Sequence, residues 1–100
     1  MASNLLPMSE TMMYILFALQ EERHGYGIML YTKRITQGRI ALGAGTIYQT
    51  LCKLEKSKFI VSTKEAGRKK YYRATELGLS RLKAEVLRLA EICSNMEGLL

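Results

Sequence analysis

The spacing of apolar residues divides the chain into segments of different period. Met12, Met13, Ile15, Leu16, Phe17 and Leu19 leave almost no polar face on the first of them. With Ser9 as an N-cap and Glu10 in the first turn, this segment predicts a helix running to about Arg23. A helix apolar on every side must be covered on every side. A chain of 100 residues has little with which to cover it, so one face is expected in the protomer and another against a partner subunit. A second helix is predicted over about 25–37. Gly25 and Gly27 lie near its start, Ile28, Tyr31 and Ile35 recur at helical spacing, and Gly38 is a stop signal.

After the short connection "RIALGAG", Ile47, Leu51 and Leu54 form a buried stripe at i, i+4 and i+7, which predicts a third helix from Ala44 to about Ser57. Thr46, Tyr48, Gln49, Thr50, Lys53 and Lys56 fall off that stripe and contain no acid. The period then shortens. Phe59 to Lys64 is rich in β-branched residues, Ala66-Gly67 is a turn, and Lys69 to Ala74 is the returning strand. Strand parity puts Lys70, Tyr72 and Ala74 on one face and Lys69, Tyr71 and Arg73 on the other, with Tyr72 toward the core and Tyr71 exposed. Thr75 caps a last helix with Glu76 in its first turn. Leu79, Leu82, Val86, Leu89, Cys93, Met96 and Leu100 alternate three and four apart along it. Such a narrow seam wants another helix, either the first helix of the same chain or a second copy.

Composition changes this picture little; the placement of charge changes it more. Apolar residues are 48% of the chain, which is globular rather than disordered. The net charge of +6 arises entirely between Lys53 and Arg73, where eight basic residues face only Glu55 and Glu65. A solubility charge would be scattered, whereas a concentrated one points to an anionic partner. The apolar run from Met12 to Leu19 is too short to span a bilayer and no basic segment precedes it, so a soluble, cytoplasmic protein is expected. Cys52, Cys93 and the single histidine, His24, are too few for a structural zinc site. The two thiols are expected to be reduced and mostly buried. Catalysis has little support. The chain has no aspartate, His24 has no partner evident in sequence, and "GYG" and "GAG" are too short to cradle a phosphate.

The order helix, helix, helix, β-hairpin, helix is the layout of a winged helix-turn-helix. The fold expected is therefore mostly α with a small β-hairpin, a single compact domain. Residues 1–74 form its winged helix part and 75–100 a C-terminal dimerisation helix. In that design the third helix enters the major groove and the hairpin lies across the backbone. Thr46, Gln49 and Thr50 suit base edges; Lys53, Lys64, Arg68, Lys69 and Arg73 suit phosphates; Tyr48 suits either, and exposed Tyr71 is counted among the DNA contacts. The expected dimer seam is Met12, Leu16, Leu82, Val86, Leu89, Cys93 and Met96. The alternatives are a winged-helix adapter that meets an acidic protein rather than DNA, and a small enzyme dependent on His24.

Three stretches, in order, resemble the PadR family of bacterial transcriptional regulators: "HGYGI" (His24 to Ile28), "GTIYQTLCKLEKSKFI" (Gly45 to Ile60) and "GRKKYYRATELG" (Gly67 to Gly78). The resemblance implies a homodimeric winged helix in the cytoplasm or at the nucleoid of a bacterium or archaeon. It implies a repressor released by a small aromatic or hydrophobic effector near the dimer interface, and no other cofactor or metal. A single helix after the wing is similar to the short, multidrug-responsive subgroup. Ala44 stands where the family often has proline, Lys58 where a glycine usually ends the recognition helix, and Ala74 where leucine is common. The last helix lacks the tryptophan that stacks on drugs in some relatives.

Overall fold

The computed structural model describes residues 6–100; the first five residues of the expected 1–74 winged-helix part lie outside them. Helix α1 spans Glu10–Ala18, and the Ser9 side chain accepts from the Met12 N–H at 3.1 Å. It ends earlier than its apolar pattern predicts. Leu19 closes it, and Arg23–His24 is drawn into a two-residue strand, β1, which has no periodicity of its own to reveal it. Helix α2 (Gly25–Ile35) starts at once, with His24 as its cap. A connection closed by the Thr36 hydroxyl leads to α3, Ala44–Lys56. Strands β2 (Ile60–Ala66) and β3 (Lys69–Ala74) form the hairpin, and α4 (Glu76–Asn95) ends in a 3₁₀ turn at Glu97–Leu99.

The antiparallel sheet has the order β1-β3-β2, one strand more than the sequence pattern predicts. Its hairpin connection is two residues, Gly67 and Arg68, of which only Gly67 has positive φ, at 67°. A connection that needs the left-handed region at its first position favours glycine there. The register slips between Ser62 and Lys64, so Thr63 is a bulge and Lys64 pairs with Tyr71. The slip brings Lys64 onto the Tyr71 face.

The core gathers Ile15, Leu16 and Leu19 from α1, Ile28 from α2, Ile47, Leu51 and Leu54 from α3, and Phe59, Ile60 and Tyr72 around the sheet. Each fully buried aliphatic or aromatic side chain contributes about 1.5–3 kcal/mol. Two features join the end of α3 to the start of α4. Lys58 occupies the left-handed region, φ 63°, and its N–H and that of Phe59 close a Schellman motif on Glu55 O and Leu54 O at 3.0 and 2.9 Å. The next carbonyls then hold α4. The Thr75 hydroxyl donates to Lys58 O at 2.7 Å and the Thr75 N–H to Phe59 O at 2.9 Å. Gly78 lies so close that a Cβ there would sit 2.1 Å from Phe59 O.

Along α4 only Gly78, Leu82 and Glu85 are buried. Glu85 accepts from the Met8 N–H at 2.7 Å and pairs with both ends of the Arg88 guanidinium. Arg88, followed by the Met8 N–H, holds its carboxyl below the usual carboxylate range against the opposing effect of burial. Beyond Glu85 the helix leaves the core, and the described chain extends 51 Å in its longest direction. Cys52 and Cys93, expected mostly buried, are both exposed. Cys52 falls outside the 47, 51, 54 stripe of α3, and Cys93 lies past the point where α4 leaves the core.

Candidate nucleic-acid interface

Helix α3 presents its polar side to solvent because the Ile47, Leu51, Leu54 stripe fixes its rotation on the core. Thr46, Gln49, Lys53 and Lys56 follow one another at i, i+3, i+7 and i+10 along that side, over about 15 Å, and all are exposed. Tyr48 flanks them and is 65% exposed. No acid occupies the first turn of α3, and its last turn is basic. Thr50, expected to read bases, is only 8% exposed. It is turned inward beside Leu51, so helical spacing removes it from the accessible set.

The hairpin residues expected to contact phosphate separate into two groups. Arg68 and Lys69 stand at the exposed tip. Lys64, Tyr71 and Arg73 stand together on the sheet face opposite Tyr72. There the Lys64 ammonium lies 4.8 Å from the centre of the Tyr71 ring and 3.4 Å from a Glu22 carboxylate oxygen. Arg73 reaches Gln20 O at 3.4 Å. A Thr63 hydrogen bond, then the charges of Lys64 and Arg73, hold the Glu22 carboxyl below its usual range. Lys64 thus has partners within the chain that Lys69 lacks among the described residues.

Lys70, set aside by strand parity, belongs with the recognition side. It lies on the Tyr72 face, its ammonium 5.6 Å from that ring. Tyr72 is 7% exposed and neighbours Tyr48, Cys52 and Glu55 of α3; burial raises its phenol above the ordinary value. Strand β1 pairs only with Tyr71 and Tyr72, so the edge of β3 at Lys69 and Lys70 is open. A cleft of about 160 Å³ lies along this edge, between the hairpin, the start of α2 and α3. His24 is at its rim. Its Nδ1 accepts from the Gly27 N–H at 3.2 Å, and its ring meets Tyr71 edge-on at 5.0 Å. Burial, and then the charge of Lys69, lowers its pKa.

A second surface is apolar. Met13, Tyr14 and Phe17 of α1 and Leu82, Val86 and Leu89 of α4 line a groove of about 320 Å³. The residues of α1 expected at the dimer seam, Met12 and Leu16, are instead 9% and 0% exposed within one chain. The near-complete apolar girdle of α1 hid which side the protomer keeps. Of the α4 residues expected there, Leu82 is 7% exposed and belongs to the core of one chain, whereas Val86, Leu89 and Met96 are 50%, 39% and 57% exposed and Cys93 is exposed. Glu10 closes one end of the groove, with its carboxylate 2.7 Å from Arg39. Among the described residues no cluster of three metal-binding side chains occurs, and no helix is long and apolar enough to cross a membrane.

Comparison with known proteins gives this geometry its context. The sequence profile of the Transcriptional regulator PadR-like family matches residues 13–84. An uncharacterised protein of Lysinibacillus sphaericus is 31% identical over 78 residues, 74% of this chain and 72% of that one. The crystal structure of a PadR family transcriptional regulator from Eggerthella lenta superposes with a TM-score of 0.75 at 27% identity, over 89% of this chain and 80% of that one. Bacillus subtilis PadR, solved in complex with operator DNA, superposes with a TM-score of 0.67 at 29% identity, over 80% of this chain and 48% of that one.

Proposed function

The chain belongs to the PadR-like family of transcriptional regulators, and from that premise we propose that it is a sequence-specific, double-stranded-DNA-binding repressor that acts as a homodimer. The observation that carries this reading is the placement of its charge. Lys53 and Lys56 extend an exposed, hydrogen-bonding, acid-free side of α3, and Arg68, Lys69 and Lys70 stand beside it across one cleft. The Bacillus subtilis relative with bound operator supports DNA as the partner. In this reading α3 lies in the major groove. Thr46, Tyr48 and Gln49 meet base edges there, and Lys53, Arg68, Lys69 and Lys70 hold phosphates. Lys64, Tyr71 and Arg73 have a weaker claim, since they share the outer sheet face with Glu22.

The second copy covers α4 beyond Glu85, so residues 75–100 act as the dimerisation element. Two recognition helices about 34 Å apart then read a near-palindrome. A small aromatic or hydrophobic effector fits the apolar groove between α1 and α4. The bonds from Thr75 to Lys58 and Phe59 tie α4 to the end of α3, which is the route by which groove occupancy reaches the DNA-facing elements. Selection of sheared genomic DNA on the purified protein tests the reading. A repressor enriches one motif with two related half-sites; enrichment of none would leave the adapter that binds an acidic protein.

A further inference from the structure

The cleft beside the open edge of β3 is bordered by groups from three elements, and one of them has no part in the reading above. Tyr26 is the second residue of α2, is 59% exposed, and lines the cleft together with Tyr48 of α3 and Arg68, Lys69 and Lys70 of the hairpin. A tyrosine left in water at the start of a helix contributes little to the core. The cleft beside it is polar and strongly basic, with no carboxylate in its wall.

The geometry of duplex DNA says what crosses such a cleft. Neighbouring grooves are separated by a single sugar–phosphate strand. With α3 in the major groove and the hairpin against the flanking backbone, that strand passes between the two elements, over the cleft. The cleft, about 160 Å³ and open to solvent, is large enough for a phosphodiester group to enter. The three hairpin cations supply charge to such a group, and a phenol hydroxyl supplies a neutral donor with a fixed direction.

We propose that Tyr26 is a further DNA contact, donating its hydroxyl to a non-bridging oxygen of the phosphate held in this cleft. The contact rests on the DNA-binding reading and adds to it a third element, the start of α2. It positions the protein on the duplex and carries no sequence preference.

The test uses the full chain and the fragment enriched from genomic DNA, with methylphosphonates placed singly along each strand. Tyr26→Phe removes one oxygen and leaves the ring. It should weaken binding roughly tenfold per bound protomer, equally for the enriched fragment and for variants of it. It should leave the salt dependence unchanged, because no charge is lost. Lys70→Ala should instead lower the salt slope by about 0.9 per phosphate released. One methylphosphonate position per half-site should cost the wild type more than it costs Tyr26→Phe, with all other positions equal in the two proteins. Wild-type affinity in Tyr26→Phe, or the same methylphosphonate pattern in both proteins, overturns the assignment while leaving the DNA-binding reading intact. Failure of the wild type to bind any fragment overturns both.

Discussion

Lys58 is a residue whose backbone conformation conflicts with its side chain. The Schellman motif that ends α3 requires the left-handed region at this position, where a Cβ costs about 1 kcal/mol. Lys58→Gly should therefore raise the free energy of unfolding by about 0.5–1 kcal/mol, read as a higher denaturation midpoint with unchanged slope. The resemblance pointed to this position because glycine is usual there, whereas the propensity of lysine alone gives no warning. His24 makes a second residue-scale prediction. Burial, then Lys69, lowers its pKa, so the folded state prefers the neutral ring that accepts from Gly27. Stability from this source is complete above the unfolded value of about 6.5 and is lost as pH falls through the lower folded value. The lowered carboxyls of Glu10, Glu22 and Glu85 lose their contributions only below about pH 4.3. Thermal midpoints should therefore fall between pH 6.5 and 5 in the wild type and stay level in His24→Asn, which keeps a capping acceptor. A decline of equal size in both proteins would remove His24 from the account.

At the scale of elements, what could be read in advance followed from periodicity. The stripe of α3 and the hairpin with Tyr72 inward rest on repeating patterns, and the caps at Ser9 and Thr75 on residue type at a helix start. What could not be read had no pattern. Arg23–His24 forms a strand by pairing with the edge of β3, after α1 has already ended at Ala18. Lys64 reaches the Tyr71 face through a single bulge at Thr63, and one extra residue is enough to change which face a charge occupies. On α1 the seam was expected at Met12 and Leu16, but packing gives both to the core and leaves Met13, Tyr14 and Phe17 to the groove. The seam proposed on α4 is where a homodimer would be broken. Leu89→Lys places an ammonium among the exposed apolar positions of that helix and should convert the protein to monomers in sedimentation. An unchanged mass would show that α4 pairs through another face.

For the whole molecule, the two surfaces lie on different elements and meet at one joint. The net charge of +6 sits on the end of α3 and the hairpin, while the largest share of exposed apolar residues, Leu77, Val86, Leu87, Leu89 and Met96, lies along α4 and its cap. Thr75, Gly78 and the carbonyls of Lys58 and Phe59 join them at the start of α4. The charge concentration is legible in the sequence because it needs only counting. The division of its residues into a cleft-facing set and an outer set depended on the strand register and the path of β1. The proposed regulator requires that this charge meet the DNA backbone while α3 reads its bases. The most direct measurement is the affinity for the selected fragment, and for a shuffled one of equal length, as salt is raised from 50 to 200 mM. With about six phosphates neutralised, log K should fall against log[salt] with a slope near −5 for the selected fragment. It should bind at least about a thousandfold more tightly than the shuffled one at physiological salt. Equal affinity for the two fragments, or binding indifferent to salt, would contradict it.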